Sequence, residues 1–198
     1  MSINDGRLVT TARKLTKDDF DQIATEMGIL PGLAKKLGDK PVAAMQIVDV
    51  NTPVVTINTQ DGTVQAEKMA KPGDAIMTRL NKDGSPKFGN TGELDQWVVD
   101  ADKLGKLYNK LGQTSPYGDI VGGNNEVLFV PLPKGGEIVA PWGGSQQISE
   151  GFLQYSLTTN EVYLNETDGF KTFAVERDVS PIRPEPKIPA EHPKPSNG

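Results

Sequence analysis

Glycine and proline punctuate this chain so densely that it suits short strands better than long helices. Of 198 residues, 21 are Gly and 15 are Pro. Gly gives up the most backbone freedom on folding, and Pro lacks the N–H that helix interiors and central strands use. Between the breaks lie short β-branched or apolar runs of strand size. From Lys40 onward they read "KPVAAMQIVDV", "TPVVTINT", "GTVQAEKM", "DAIMTRL", "LDQWVV", "EVLFVPL", "GEIVAPWGG", "GFLQYSL" and "EVYL".

The segment before Lys40 has a different period. In "LTKDDFDQIATEMG", Phe20, Ile23, Ala24 and Met27 recur at helical spacing. Thr16 is placed to cap this helix, with Asp19 three residues on as the reciprocal partner. Gly28 ends it, and "LPGLAKKLG" offers a second, shorter helix between Pro31 and Gly38. Asp61-Gly62 is a hairpin signal between alternating runs. Pro72-Gly73 fits the centre of a type II turn, Pro presetting φ and Gly accepting the positive φ that position needs. A short helix is expected from about Asp100. Gly112 to Asn125 shifts to Gly, Ser, Pro and Asn and reads as an internal linker. The end of the chain, "SPIRPEPKIPAEHPKPSNG", reads as an extended, flexible polyproline-like tail.

Two stretches share one pattern. "DQWVVDADKLGKLY" (Asp95–Tyr108) and "NEVYLNETDGFKTF" (Asn160–Phe173) both run polar pair, apolar triplet, acid-rich turn and short aromatic-ended helix. A Gly-initiated strand precedes each, which points to a tandem duplication of a β-rich unit. The fold expected is α+β and mostly β. Residues 1–39 form a helical N-terminal segment, 40–111 a first β unit, 112–125 a linker, 126–179 a second β unit and 180–198 the Pro-rich tail. Each β unit ends in a short helix.

The order of elements resembles the small phage and bacterial domains of the PGDYG type. The pieces that carry the resemblance are Lys40-Pro41-Val42, Pro72-Gly73-Asp74, Trp97 and Tyr108. In the second half they are Pro141-Trp142-Gly143, Gly151, Tyr163, Phe170 and Phe173. The likeness spans about Lys40 to Val175. Ala75-Ile76 departs from the family's Tyr-Gly, and Phe152 stands where the second copy should carry Asp. The family is functionally uncharacterised, so the resemblance implies a fold and not a reaction.

Several chemistries find no residues here. The net charge is −5, and the lysines are scattered among acids, so no basic footprint for nucleic acid is visible. Cysteine is absent, which removes disulfides, thiolate metal sites and cysteine nucleophiles. The one histidine, His192, lies in the Pro-rich tail. No stretch has the apolar core of a signal peptide or of a membrane span, and a cytoplasmic protein is expected.

Asp74 is the tempting catalytic residue, but Asp in such a turn bonds the loop backbone. Glu93, Asp95, Asp100 and Asp102 form an acidic cluster that would suit acid–base work or a divalent cation. Acids at a helix start also satisfy free N–H groups and the positive dipole end, which is the preferred reading for Asp100 and Asp102. Glu93 and Asp95 are the one local pair that strand geometry would let converge. Trp142, beside a Gly-rich turn, is the best binding anchor, joined by Trp97 and Tyr163; the competing reading is core packing. Pro186 and Pro189 make a PxxP spacing that can dock on aromatic grooves or serve as a spacer. The expectation is a non-catalytic binding or accessory module of phage or bacterial origin, with a protein partner, no cofactor and no metal. Two alternatives stay open: a carboxylate-based hydrolase or nuclease-like enzyme, and a small-ligand β domain with a concave apolar cavity.

Overall fold

The structure, a computed structural model, describes residues 2–4, 7–57 and 62–182. It is mostly β, with three helices among the described residues. The chain starts with β1 (Ser2–Asn4), β2 (Arg7–Lys14), α1 (Lys17–Glu26), β3 (Ile29–Leu30) and β4 (Gly32–Lys36). Next come β5 (Pro41–Ile47), β6 (Thr52–Ile57), β7 (Val64–Ala70), β8 (Ala75–Arg79), β9 (Gln96–Val99) and α2 (Ala101–Leu107). Then follow β10 (Tyr108–Ser115), β11 (Gly118–Gly123), β12 (Glu126–Leu132), β13 (Gly136–Val139) and β14 (Ser145–Ile148). The last elements are β15 (Gly151–Ser156), β16 (Val162–Glu166), α3 (Thr167–Phe170), β17 (Phe173–Arg177) and β18 (Ser180–Pro181).

Three larger sheets share these strands. Two have five strands, in the orders β10-β11-β5-β8-β9 and β16-β15-β12-β4-β17. The third has six, β1-β2-β13-β14-β7-β6, and β18 pairs with β3 in a small ribbon. Each five-stranded sheet sends out a hairpin between two of its paired strands: β6–β7 between β5 and β8, and β13–β14 between β12 and β15. The hairpins meet at Gln146 opposite Ala66 and so build most of the six-stranded sheet. Among the described residues every strand pairing is antiparallel except β13 with β2.

One connection decides the architecture. β4 directly precedes β5, yet it pairs with β12; β11 directly precedes β12, yet it pairs with β5. The two leading strands therefore cross. At the crossing, Gly122 passes so close to the carbonyl of Gly38 that a Cβ would lie 2.1 Å from its oxygen. A Cβ on Gly123 would lie 2.4 Å from Lys36 Cδ. Asn109 and Asn124 exchange side-chain hydrogen bonds of 2.8 Å beside it. Backbone contact this close is the kind of site where glycine is used.

The largest core lies between the six-stranded sheet and one face of the β12–β15–β16 sheet. Leu8, Ile138 and Ile148 meet Leu132, Leu153 and Leu164 there, with α1 inserting Phe20, Ile23 and Ala24. α1 starts as expected: Asp19 N–H donates to Thr16 Oγ1, and Thr16 N–H donates to Asp19 Oδ2 at 2.8 Å. The Arg13 guanidinium bonds both Asp19 oxygens, at 2.6 and 2.7 Å, and holds that carboxyl well below the usual carboxylate range.

Three expectations need correction. The segment before Lys40 is not a helical segment, because β2, β3 and β4 flank α1. Pro31 to Gly38 carries β4 and not a helix: alternate residues Gly32, Ala34 and Lys36 turn inward, and pairing to β12 outweighs the helix propensity of Leu, Ala and Lys. Gly112–Asn125 is not a linker, since it holds the end of β10 and all of β11. Its glycines serve the β10–β11 turn and the crossing. Residues 183–198, including His192, Pro186 and Pro189, lie outside the described residues, as does Asp61. Among the described residues no helix is long and apolar enough to cross a membrane.

Candidate functional site

The three large sheets surround a cavity of about 200 Å³. Its walls come from β4, β6, β7, β8, β9, α2, β10, β14, β16, α3 and β17, together with the turn at Pro141-Trp142. Trp97, Tyr108, Trp142, Tyr163 and Phe173 supply aromatic surface. The three expected binding aromatics, Trp97, Trp142 and Tyr163, thus line one space although they lie far apart in the chain.

Charged groups reach this space from strands β4, β7 and β8, from α2 and from the residues just before β9 and β16. On β8, Ala75, Met77 and Arg79 share a face by the two-residue period, and Arg79 stands at its end. Its guanidinium is bound by the buried Asp95 carboxylate at 2.5 Å and lies 4.8 Å from the Trp97 ring centroid. Against the desolvation of this buried group, Asp95 keeps Arg79 charged. Lys68 bonds Asp100 at 2.5 Å and sits 5.5 Å from the Trp142 ring centroid. Lys103 bonds Glu161 at 2.6 Å and Asp100 at 3.1 Å. Against the desolvation that burial imposes, these two ammonium groups hold the Asp100 carboxyl below its ordinary value.

Lys36 is different. It ends β4 and is only 8% exposed; its backbone N–H donates to Asn125 O at 2.9 Å, but its ammonium makes no hydrogen bond or ion pair among the described residues. Its Nζ lies 4.9 Å from the Phe173 ring centroid. Burial, and then the neighbouring Arg79 charge, pull its pKa down to about 7, with Asp95 opposing. Burial pushes the hydroxyls of Tyr108 and Tyr163 up, so both remain protonated donors at neutral pH. Tyr163 Oη also accepts from Asn125 Nδ2 at 2.7 Å. Trp142 Nε1 is a buried N–H without an acceptor among the described residues.

The acidic cluster does not converge. Glu93 is exposed and accepts from Thr91, whereas Asp95 is buried against Arg79. Asp102 is exposed. Asp100 is the N-cap of α2 by position, but its side chain caps nothing and pairs with lysines instead. The capping falls to Asp74, whose Oδ1 accepts from Ala101 N–H at 3.0 Å and whose Oδ2 accepts from Lys71 N–H at 2.9 Å. Gly73 has φ 92° and Asp74 N–H donates to Lys71 O at 2.9 Å, which closes the turn that Pro72 opens. Among the described residues no group of three metal-ligating acids or histidines occurs. A shallow surface cleft outside the cavity includes Asp74 and shares Lys68, Asp100 and Trp142 with it, so those three form the wall between interior and surface.

Lys36 and Arg79 were not among the candidate residues read from the sequence. A signal for them existed: each is a charged residue two positions beyond a small or apolar inward residue of a strand. Comparison with protein-family models, with curated proteins and with solved structures finds no match to this chain.

Proposed function

We propose that the chain is a non-catalytic binding module in which two similar β units, residues 40–111 and 126–179, hold a small ligand between them. The carrying observation is the aromatic-walled cavity lined by Lys36, a largely buried side chain whose ammonium has no ion-pair partner among the described residues. Small-molecule sites are concave, mostly apolar and carry a few convergent polar groups. The cavity has this composition, whereas the carboxylates that an enzyme reading needs are scattered or tied to cations.

The two-unit part of the proposal is supported by strand order. In chain order β5, β6, β7, β8, β9, α2 and β10 correspond to β12, β13, β14, β15, β16, α3 and β17. Each set occupies the same places in its five-stranded sheet and in the shared six-stranded one. Trp97 lies opposite Met77, which lies opposite Met45; Tyr163 lies opposite Gln154, which lies opposite Phe129. The leading strands β4 and β11 are then exchanged between the units. On this proposal the chain is a tandem, diverged relative of the PGDYG-type domains, of phage or bacterial origin.

The chain's two tryptophans both line the cavity, so intrinsic fluorescence reads it without a label. Titration with single-ring compounds such as benzamide and benzoate should give a saturable change in tryptophan emission and a raised Tm. Absence of saturable binding for every such compound would remove the small-ligand reading.

A further inference from the structure

We propose that the cavity takes a small organic anion, a carboxylate carried on a flat apolar body, with the carboxylate seated against Lys36. This inference rests on the small-ligand reading above and adds the charge and shape of the ligand.

Charge balance at the cavity wall carries it. The lining cations are Lys36, Lys68, Arg79 and Lys103, and the lining carboxylates are Asp95, Asp100 and Glu161. At the cavity surface four cations face three anions, with the buried Glu166 adding its charge near Arg79 from just outside the lining, and the ion pairs are already taken: Arg79 with Asp95, Lys68 with Asp100, Lys103 with Asp100 and Glu161. Lys36 is the cation left over. A buried charge without a partner is strongly disfavoured, so its amine is held in wait for either deprotonation or an incoming anion. A carboxylate arriving beside it would supply the missing counter-charge and oxygen acceptors for the ammonium.

Shape narrows the class. Lys36 lies against the ring of Phe173; Tyr163 lines the cavity from the far edge strand of the same sheet, and Trp97 from the other five-stranded sheet. Aromatic walls of this kind favour a planar apolar body in offset or edge contact. A cavity of about 200 Å³ is below the ~300–1,000 Å³ of drug-sized sites, which sets the ligand at about one ring with its carboxylate.

Gly123 makes the seat possible. It faces Lys36 across the strand crossing, and a Cβ there would press on the Lys36 side chain, 2.4 Å from Cδ and 3.1 Å from Cβ. Lys36 therefore reaches the cavity through room that glycine leaves.

The test compares benzoate with its neutral isostere benzamide by calorimetry and tryptophan emission, on the full chain and on Lys36→Met and Lys36→Gln. The unaltered chain should prefer benzoate by about tenfold or more, the worth of one charge-assisted hydrogen bond. Both variants should lose that preference while still binding benzamide. Equal affinity for the two compounds in the unaltered chain, or a preference that survives in both variants, would overturn the inference and leave the cavity reading standing. Failure of both compounds to bind would overturn the two together. Two independent substitutions guard against one that does not fold, and both should fold, since each removes a buried unpaired amine.

Discussion

Strand for strand, the two five-stranded sheets put different side chains at the same place. Across β5, β8 and β9 one row reads Met45, Met77 and Trp97; across β12, β15 and β16 it reads Phe129, Gln154 and Tyr163. One row further on, Ala43 with Arg79 matches Val127 with Ser156. The first sheet is covered by α2, whose Leu104 and Leu107 pack against the cluster that includes Ala43, Met45 and Met77. The second is covered by the single turn of α3, and Phe170 there stacks on Phe152 at 4.0 Å and on Phe173 at 5.7 Å. Small residues under a longer helix and large rings under a shorter one fill comparable space. Packing constrains the sum of volumes on a face more tightly than the individual residues. Charge has no such exchange: Arg79 brings its own counterion, and Lys36 on the other sheet does not.

The largest break in this comparison should come from Asp95→Ala. It removes the salt-bridge partner of the buried Arg79, leaving it only the charge of Glu166, and chemical denaturation should show a loss of about 3–5 kcal/mol. A loss below about 1 kcal/mol would mean that the pair is solvated and that the first sheet is no better balanced than the second.

Lys36→Met should act in the opposite direction. The folded pKa of Lys36, about 7, lies below its ordinary 10.5. Between those values the unfolded chain holds a proton that the folded chain does not, so stability climbs with pH by roughly 1.4 kcal/mol per unit. Below pH 7 the full penalty is present. The substitution should therefore stabilise the protein at neutral pH by up to about 4 kcal/mol and flatten the slope across that interval. Urea unfolding at pH 6, 8 and 10 checks both signs, and an unchanged slope would show that Lys36 is hydrated.

Gly122→Ala tests the crossing that joins the two sheets. Its Cβ would meet the Gly38 carbonyl, which is backbone and cannot rotate away. A loss of about 2–3 kcal/mol is expected from the drop in Tm. A neutral result would show that the crossing strands can separate, and with that the two-unit exchange would lose its geometric support.

The smallest effect should be that of Asp74→Ala. Asp74 caps α2 from the neighbouring turn, and Gly151, at the matching start of β15, has no side chain to offer the one-turn α3. Loss of a cap of this kind costs about 1 kcal/mol. If thermal unfolding is unchanged, α2 gains nothing from the cap and the two helix starts are equivalent.

Local signals translated well into local structure. "EVLFVPL" is β12 residue for residue, Thr16 and Asp19 make the reciprocal cap, and Lys71 to Asp74 make the glycine turn. Each of these is settled by neighbours within a few positions, where rotamers, φ preferences and turn hydrogen bonds act without help from the rest of the chain. Strand β14, "SQQI", was not recognised because its pattern is polar; Gln146 is buried by two hydrogen bonds to the Leu164 backbone that no sequence period announces. The same holds for Gly122 and Gly123, which read as flexibility and serve close contact.

Turn positions, one helix start, the two-residue alternation and the surplus of short strands were thus in the chain's own order. Which strands became neighbours was not. That β4 pairs with β12 and that Lys36 is left without an ion-pair partner depend on residues tens of positions apart, and Asp95 finds Arg79 across 16 positions. Pairing of distant strands is chosen by the summed burial and hydrogen bonding of the whole assembly. A lysine's charge state follows from what is packed around it, and Lys36 has the same local sequence context as the exposed Lys35 beside it.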